Sequence, residues 1–467
     1  MTEGRVTEET GVDRKMRIEH DSMGAMPVPA DALYGAQTAR AMENFPISGF
    51  RLQRPFIRAL GIVKAAAAHV NGINGWVDLA VATAIERAAM EVAEGLHDAQ
   101  FVVDVFQTGS GTSTNMNANE AVARLAGMAI QAAVHPNDHV NRGQSSNDVF
   151  PSAMHIAAVE TVTHRLLPAL DLLERELSRK SREFHDVIKI GRTHLQDAVP
   201  MRMGQEFSGY AQQVRNAVER ISFALEGLHE LPLGGTAVGT GLNAPAGFAA
   251  ETIAEIARIT GCPFVEAKNH FEAQASKDGV VFLSGALRTC AVALTKIAND
   301  IRWMGSGPRC GIGELKLPAV QPGSSIMPGK VNPVIVESLL MVCAQVIGYD
   351  ATIAWCGAAG NFELNVMMPV MAYDLIEAIG ILAASTRNFA HHAVAGLAAD
   401  RARALSYVEQ SLAMGTALVP EIGYENAATL VKNAYLTGRT VREAAIEQSG
   451  LRPERLNELL DPETQAG

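Results

Sequence analysis

Apolar residues recur along most of the chain at intervals of three or four, which is the period of an α-helix with one buried face. In the clearest run the spacings are 3, 4, 4, 3, 4 and 3, and its members are Phe207, Tyr210, Val214, Val218, Ile221, Leu225 and Leu228. Charged and amide residues fill the other faces, and Pro232 follows the run. The pattern predicts a long helix whose narrow apolar stripe lies in a helix bundle or a subunit interface.

Four further segments show the same period, at 151–180, 271–304, 333–354 and 368–397. Pro168 lies within the first of them, so we expect a kink there. Aromatic residues make up only 5% of the chain and alanine is abundant, which favours helices over sheets. The chain shows neither alternating strands and helices nor a fixed repeat. These observations predict an all-α protein.

The long helical segments occupy the middle of the 467-residue chain. Shorter helices and loops are predicted before them, and short, more polar segments after them. This division predicts three domains: an N-terminal helical domain at 1–143, a central long-helix bundle at 144–399 and a small C-terminal helical domain at 400–467.

Charge and cysteine content exclude several classes of protein. The net charge is −11, the pI is about 5.7, and no basic stripe is present, so nucleic acid is not an expected partner. The five cysteines form no Cys-x-x-Cys unit, which fits reduced thiols in the cytoplasm. The N-terminus is polar through Asp21, unlike a secretory signal. The uncharged stretch Leu231–Ala250 holds five glycines and two prolines, so it predicts a loop rather than a membrane helix.

Candidate chemistry lies in four segments that we expect to be loops. The first, 109–115, contains Ser110, Gly111 and Thr112, whose hydroxyl and N–H groups can bind an oxyanion or simply begin a helix. No Gly-Lys-Ser/Thr follows, which disfavours a phosphate loop.

In the second segment, His135 and His139 have the spacing of a metal pair on a helix, but Pro136 and Asn137 favour a loop without metal. Farther along, the second segment contains three small polar residues before a predicted helix, which can cap that helix or hold a carboxylate at its N-terminus; they are Ser145, Ser146 and Asn147.

The third segment, 191–198, contains His194, a candidate acid or base near neutral pH. The fourth, 323–333, contains Ser324 and Ser325 as candidate bases, and Lys330 and Asn332 as groups that can grip a carboxylate. Glu337 follows early in the next helix, where it can pair with an imidazole. A hydroxyl beside a lysine suits removal of a proton next to a carboxylate.

Taken together, these segments resemble the fumarase/aspartase superfamily, and within it the class II fumarate hydratases. The run Gly-Ser-Ser-Ile-Met-Pro-Gly-Lys-Val-Asn-Pro at 323–333 is similar to the superfamily signature, and the likeness extends from 33–38 to 361–366. Thr193-His194 resembles the fumarases, since aspartases carry Thr-Gln there, and Pro-Gly-Lys replaces the aspartase Pro-Ala-Lys. The tail at 334–337 is closer to the aspartase form.

The resemblance implies an all-α, three-domain fold and a homotetramer whose active sites are shared between subunits. It also implies that neither a metal nor an organic cofactor is needed. The implied reaction is reversible anti addition of water to fumarate, giving (S)-malate, a step of the tricarboxylic acid cycle. Ser324 would act as the base, and His194, polarised by Glu337, would act through a bound water.

The resemblance also implies substrate contacts, at Ser110, Gly111, Thr112, Ser145, Ser146, Asn147, Thr193, Ser325, Lys330, Val331 and Asn332. A second, peripheral dicarboxylate site is implied at His135, Pro136, Asn137 and Asp138. The chain departs from the family near this second site, where Ala132 replaces a basic residue and the stretch from Thr112 to His135 is shorter. We therefore expect activity at the main site and a weakened peripheral site.

Two other functions fit the same chain. One is another lyase of the superfamily, such as aspartate ammonia-lyase. The other is a helical binding or structural protein that has lost catalysis. The second is disfavoured because Ser324, Lys330, Asn332, His194 and Glu337 are all present.

Overall fold

The computed structural model describes residues 15–467, so the start of the predicted N-terminal domain and the first residues of the polar N-terminus lie outside it. Every described element longer than seven residues is an α-helix. The helices are α1 Ala36–Asn44, α2 Arg54–Ile73, α3 Leu79–Glu94, α4 Thr112–Ile130, α5 Ser146–Thr161, α6 Leu167–Glu183, α7 Met203–Leu225, α8 Phe248–Thr260, α9 His270–Ala275, α10 Asp278–Met304, α11 Val334–Gly357, α12 Met368–His392, α13 Arg401–Gln410, α14 Val419–Ile422, α15 Tyr424–Thr437, α16 Val441–Gln448, α17 Pro453–Leu459 and α18 Pro462–Gln465.

The strands of the described chain are short and pair only two by two. They are β1 Met16–Asp21, β2 Gly24–Pro29, β3 Ile188–Thr193, β4 Gln196–Arg202, β5 Glu230–Leu231, β6 Val265–Glu266, β7 Leu315–Lys316, β8 Gly360–Asn361, β9 Leu364–Asn365 and β10 Ala398–Ala399. β5 and β6 are parallel, whereas β1–β2, β3–β4, β7–β10 and β8–β9 are antiparallel. Two-stranded sheets cannot form a core by themselves, so the all-α expectation is confirmed.

The helix predicted at 151–180 is present but interrupted. It begins at Ser146, passes through a π-helical segment at Val162–Leu166 and continues as α6 to Glu183. Pro168 has no N–H and therefore cannot donate an α-helical hydrogen bond, and the wider π segment directly before it accommodates the missing bond. The irregularity expected at Pro168 thus takes the form of a π segment.

The apolar stripe from Phe207 to Leu228 lies on α7 and on the 3₁₀ turn Glu226–Leu228 that follows. Its side chains are buried except that of Val218, which is half-buried. Phe207 packs edge-on against Phe184 and Tyr210, at centroid distances of 5.2 and 5.4 Å. The helix and its buried face are therefore as predicted.

The remaining helical predictions need small corrections. The segment predicted at 271–304 is divided into α9 and α10, with a break at Ser276 and Lys277. The buried Lys277 Nζ donates to the carbonyls of Ala273, Gln274 and Ser276, and so caps the C-terminus of α9. The segments at 333–354 and 368–397 correspond to α11 and to α12 with a final 3₁₀ turn.

The chain divides into two compact units, each built from three stretches. Of the described residues, unit 1 comprises 15–164, Ile221–Leu287 and Gly348–Gly380. In this unit α2 packs against α3, α5 and α8, and α3 packs against α4. A Cβ on Gly61 of α2 would lie 2.6 Å from the Ala93 nitrogen of α3, so only glycine permits this close approach. The candidate residues from Ser110 to Asn147 belong to this unit.

Unit 2 comprises Arg165–Arg220, Arg288–Ile347 and Ile381–Gly467. Its β3–β4 hairpin contacts α13, and Ile188 and Ile190 of β3 join an apolar cluster formed by the C-terminal helices. The candidate residues Thr193, His194 and 323–337 belong to this unit. The domain boundaries proposed at 143/144 and 399/400 remain a prediction.

Within residues 15–467, four helical stretches are long and apolar enough to cross a membrane by length and composition: Arg54–Ile73, Asp278–Met304, Val334–Gly357 and Met368–Gly396. The first is 83% buried inside the protein, so its apolar residues form core. The stretch Val334–Gly357 is only 28% buried, which leaves most of its apolar surface open. In the stretch Leu231–Ala250, Leu231 ends β5 and α8 begins at Phe248, and the residues between them form a loop, as the sequence predicted.

Candidate active site

Two of the predicted segments meet through their hydroxyl groups in unit 1. Ser110 and Thr112 hydroxyls lie 2.8 Å apart, and the Thr112 hydroxyl lies 2.7 Å from that of Ser146. Gly111 has a φ of 75°, and a Cβ there would lie 2.0 Å from the Phe150 ring, so only glycine fits. The N-termini of α4 and α5 therefore present a shared cluster of hydroxyls.

The segment before α5 caps the N-terminus of this helix, which is the positive end of the helix dipole. Ser145 and Asp148 form a capping box, in which Asn147 N donates to Ser145 Oγ at 3.2 Å and Ser145 N donates to Asp148 Oδ1 at 2.9 Å. Asn147 Nδ2 donates to the Ala237 carbonyl at 2.8 Å. The capping interpretation is confirmed, and it is compatible with binding a carboxylate at the same helix end.

A buried carboxylate that the sequence analysis did not single out holds this segment in place. Asp148 Oδ2 accepts hydrogen bonds from the N–H groups of Gly234 and Thr236, each at 2.9 Å. Burial raises the pKa of Asp148 to about 6, although those hydrogen bonds and the charge of Lys64 favour the ionised form. The spacing Ser145-x-x-Asp148 is a capping-box motif and could have revealed this residue.

Lys64, in the middle of α2, is fully buried below the same loops. Its Nζ donates to Asn141 Oδ1 at 3.1 Å and to Gln144 Oε1 at 2.8 Å. Burial lowers the pKa of Lys64 to about 7, although the negative charge of Asp148 acts to raise it. A single lysine within the apolar run of 62–68 was the available signal in the sequence. A buried polar network therefore lies beneath the candidate site.

The residues of the predicted second dicarboxylate site lie together on a π-helical segment, Pro136–Val140, and on His135 before it. His135 Nδ1 accepts hydrogen bonds from the N–H groups of Asn137 and Asp138 at 3.3 and 3.1 Å. Those two N–H groups are therefore already engaged by an imidazole. Within residues 15–467, no three His, Cys, Asp or Glu side chains converge in an arrangement that could hold a metal ion.

Thr193 and His194 lie on a β-hairpin, and the expectation of a loop at 191–198 was wrong. β3 ends at Thr193, β4 begins at Gln196, and His194 and Leu195 form the two-residue turn with φ of 57° and 61°. Both φ values are positive, as a type I′ hairpin turn requires, so the turn follows the twist of the strands. Thr193 and His194 are exposed.

The fourth segment, 323–333, is a loop as expected, and its own hydrogen bonds close it. Gly323 N donates to the Lys330 carbonyl at 2.9 Å, and Asn332 Nδ2 donates to the Gly323 carbonyl at 2.5 Å. Ser324 Oγ accepts from the N–H groups of Ile326 and Met327 at 3.2 and 2.9 Å. A Cβ on Gly323 would lie 2.4 Å from the Lys330 oxygen, so glycine is required at the closure.

Within unit 2 the proposed catalytic side chains are not linked to one another by hydrogen bonds or ion pairs. Glu337 lies exposed in the first turn of α11, where its N–H donates to the Pro333 carbonyl. Among residues 15–467, no hydrogen bond or ion pair joins His194 to Ser324 or to Glu337. Ser325, Lys330 and Val331 are exposed, as a binding surface requires.

Comparisons with known proteins give consistent matches over most of the chain. A model of a lyase family matches residues 24–348, and a model of the fumarase C C-terminus matches residues 415–465. The chain is 54% identical over 442 residues to a class II fumarate hydratase of Mycobacterium tuberculosis, covering 94% of this chain and 93% of the relative. It is 51% identical over 448 residues to that of Xylella fastidiosa, covering 96% and 95%. The crystal structure of class II fumarase from Schistosoma mansoni superposes with a TM-score of 0.94 at 41% identity, covering 97% and 99%.

Proposed function

The chain belongs to the class II fumarate hydratases, lyases of the fumarase/aspartase superfamily, and we propose that it interconverts fumarate and (S)-malate by anti addition of water in the tricarboxylic acid cycle. The observation that carries the mechanism is the closed 323–333 loop, in which Ser324 Oγ accepts hydrogen bonds from the loop backbone. This hydroxyl accepts two backbone N–H groups, which favour its charged alkoxide form.

In the dehydration direction, the Ser324 alkoxide takes the proton from the carbon beside one carboxylate. The electron pair of that C–H bond moves into the carboxylate and gives an aci-carboxylate. Lys330 and Asn332, on the same loop, stabilise this developing charge, as an oxyanion hole does. The electron pair then returns to form the C=C bond as the hydroxyl on the neighbouring carbon leaves.

On the hydroxyl side, His194 supplies a proton through a bound water, so that the hydroxyl leaves as water, and Glu337 polarises the imidazole. The exposed position of His194 at the tip of the β3–β4 hairpin suits this role, because the ring can reach a substrate held elsewhere. The other carboxylate of the substrate binds at the hydroxyl cluster of Ser110, Thr112 and Ser146, where the N-terminus of α5 favours negative charge.

We propose that the active enzyme is a homotetramer whose active sites are shared between subunits. Large apolar side chains are exposed on the long helices, at Phe223, Phe282, Trp303, Met341 and Trp355. A second copy of the chain would cover them. Because one chain does not join His194 to Ser324 or Glu337, neighbouring copies would complete the catalytic set.

Two smaller proposals follow. The segment of His135, Pro136, Asn137 and Asp138 forms a weak peripheral dicarboxylate site, because the imidazole already occupies the two N–H groups. The enzyme is cytoplasmic, which fits its unpaired cysteines; the described residues form no disulfide.

The decisive experiment is an ultraviolet assay at the absorbance of fumarate, run first with malate and then with aspartate. Fumarate formed from malate alone supports the hydratase. Fumarate formed from aspartate alone would identify an ammonia-lyase. A folded tetramer that forms fumarate from neither substrate would identify a scaffold without catalysis.

A further inference from the structure

The turn that carries His194 is held by features outside the turn itself. His194 and Leu195 are not glycine, yet both adopt the left-handed backbone region, which is unfavourable for a residue with a Cβ. Leu195 is 78% exposed, so it adds no packing. A bulge interrupts the β3–β4 pairing between Ile190 and Arg192, leaving only two residue pairs between the bulge and the turn. A short, strained hairpin tip needs an anchor near its base.

Arg192, two residues before His194, provides such an anchor. Its Nη1 and Nη2 donate to Glu314 Oε2 and Oε1 at 2.9 and 2.8 Å, a bidentate pair that fixes the plane of the guanidinium. Glu314 is fully buried, so solvent screens this pair little. Burial lowers the pKa of Arg192, but the hydrogen bonds and charge of Glu314 outweigh burial and raise it overall.

Further contacts hold both Arg192 and Glu314 in place. The Arg192 Cζ lies 5.7 Å from the centre of the Tyr407 ring, and Arg403 lies over the same ring at 4.5 Å. Tyr407 donates its hydroxyl to the Ile312 carbonyl at 3.0 Å. The Glu314 carbonyl accepts from Asp400 N at 2.9 Å. The anchor thus connects the hairpin base to α13 and to the β7–β10 pair.

We propose that Arg192, Glu314 and Tyr407 form a positioning unit that sets the orientation of His194 for catalysis, a role that rests on the proposed hydratase function. In this role the three residues act on His194 through the hairpin and not by binding the substrate. They act by holding the strained turn in one geometry. Misplacing a catalytic group by about 1 Å can lower the rate by about 10²-fold, so the unit should affect turnover more than substrate binding.

The test is a double-mutant cycle with Arg192→Lys and His194→Asn. Lysine keeps the charge but cannot form the bidentate pair. We expect Arg192→Lys alone to lower kcat for malate about 10- to 100-fold with KM changed less than about threefold. In the His194→Asn background the same substitution should change kcat less than about twofold, because the group being positioned is gone.

Arg401→Lys is the matched control, since Arg401 lies in the same unit but pairs with the exposed Asp186. It should leave kcat unchanged. Equal losses from Arg192→Lys in both backgrounds, or a change confined to KM, would overturn the proposal. If Arg192→Lys does not fold, Tyr407→Leu serves instead and should show the same dependence on His194. Malate dehydration by the unmutated enzyme tests the proposed function separately.

Discussion

Replacing Asp148 by asparagine tests how the segment around Ser145 at the N-terminus of α5 is held in place. The Asp148 carboxylate accepts three backbone hydrogen bonds, from Ser145, Gly234 and Thr236, each at 2.9 Å. Asparagine has nearly the same shape but only one acceptor oxygen. It can serve Gly234 and Thr236, but its amide nitrogen then faces the N–H of Ser145. The partly buried N–H of Ser145 must then lose its partner.

The size of the effect follows from these contacts. Two charge-assisted bonds become neutral ones, which costs about 1 kcal/mol each, and an unsatisfied buried N–H costs about 1–3 kcal/mol. Removing a buried charge offsets part of this loss, as the pKa of Asp148, raised to about 6 by burial, indicates. We expect a net local destabilisation of about 2 kcal/mol, equivalent to a roughly 30-fold change in an opening equilibrium.

Hydrogen exchange measured by mass spectrometry resolves this local change. Amides at 143–149 and 232–238 should exchange roughly 30-fold faster in Asp148→Asn, and KM for malate should rise because Ser145 and Asn147 lose their anchor. Asp138→Asn is the control for hydrogen exchange, since the Asp138 side chain is 78% exposed. Protection at both segments within about threefold of the unmutated protein would refute the reasoning.

Three further outcomes are expected. Ser324→Ala should lower malate turnover by about 10²-fold or more in the same ultraviolet assay, and a near-normal rate would remove the serine from the base role. Burial lowers the pKa of Lys64 from 10.5 to about 7. Between these two pH values the unfolded chain therefore binds more protons than the folded chain, so the contribution of Lys64 to the free energy of unfolding increases as pH rises. Thermal unfolding should therefore show that the stability of the unmutated protein, relative to that of Lys64→Met, increases from pH 7 to pH 9. A stability difference that stays constant over this range would contradict the prediction. Trp355→Glu places a charge on an exposed apolar face of α11 and should shift the light-scattering mass from tetramer towards smaller species, whereas an unchanged mass argues against that interface.

Much of the helical architecture could be predicted because helix periodicity is a local property. The stripe from Phe207 to Leu228 indicates that one face of the helix is buried, regardless of which element this face packs against. The break at Ser276 and Lys277 was missed because the apolar period continues across it. The β3–β4 hairpin was missed because its turn residues, His194 and Leu195, are not the Asn-Gly type that announces such a turn.

The sequence by itself determined the helical class, the family and the short segments that carry chemistry, since each depends on residues close together along the chain. Only the tertiary structure decided which of these segments meet. The contact between Thr112 and Ser146 spans 34 residues, and that between Arg192 and Glu314 spans 122. Such pairs arise when packed helices and strands bring remote backbone together, and no local spacing encodes which partners a buried charge will find.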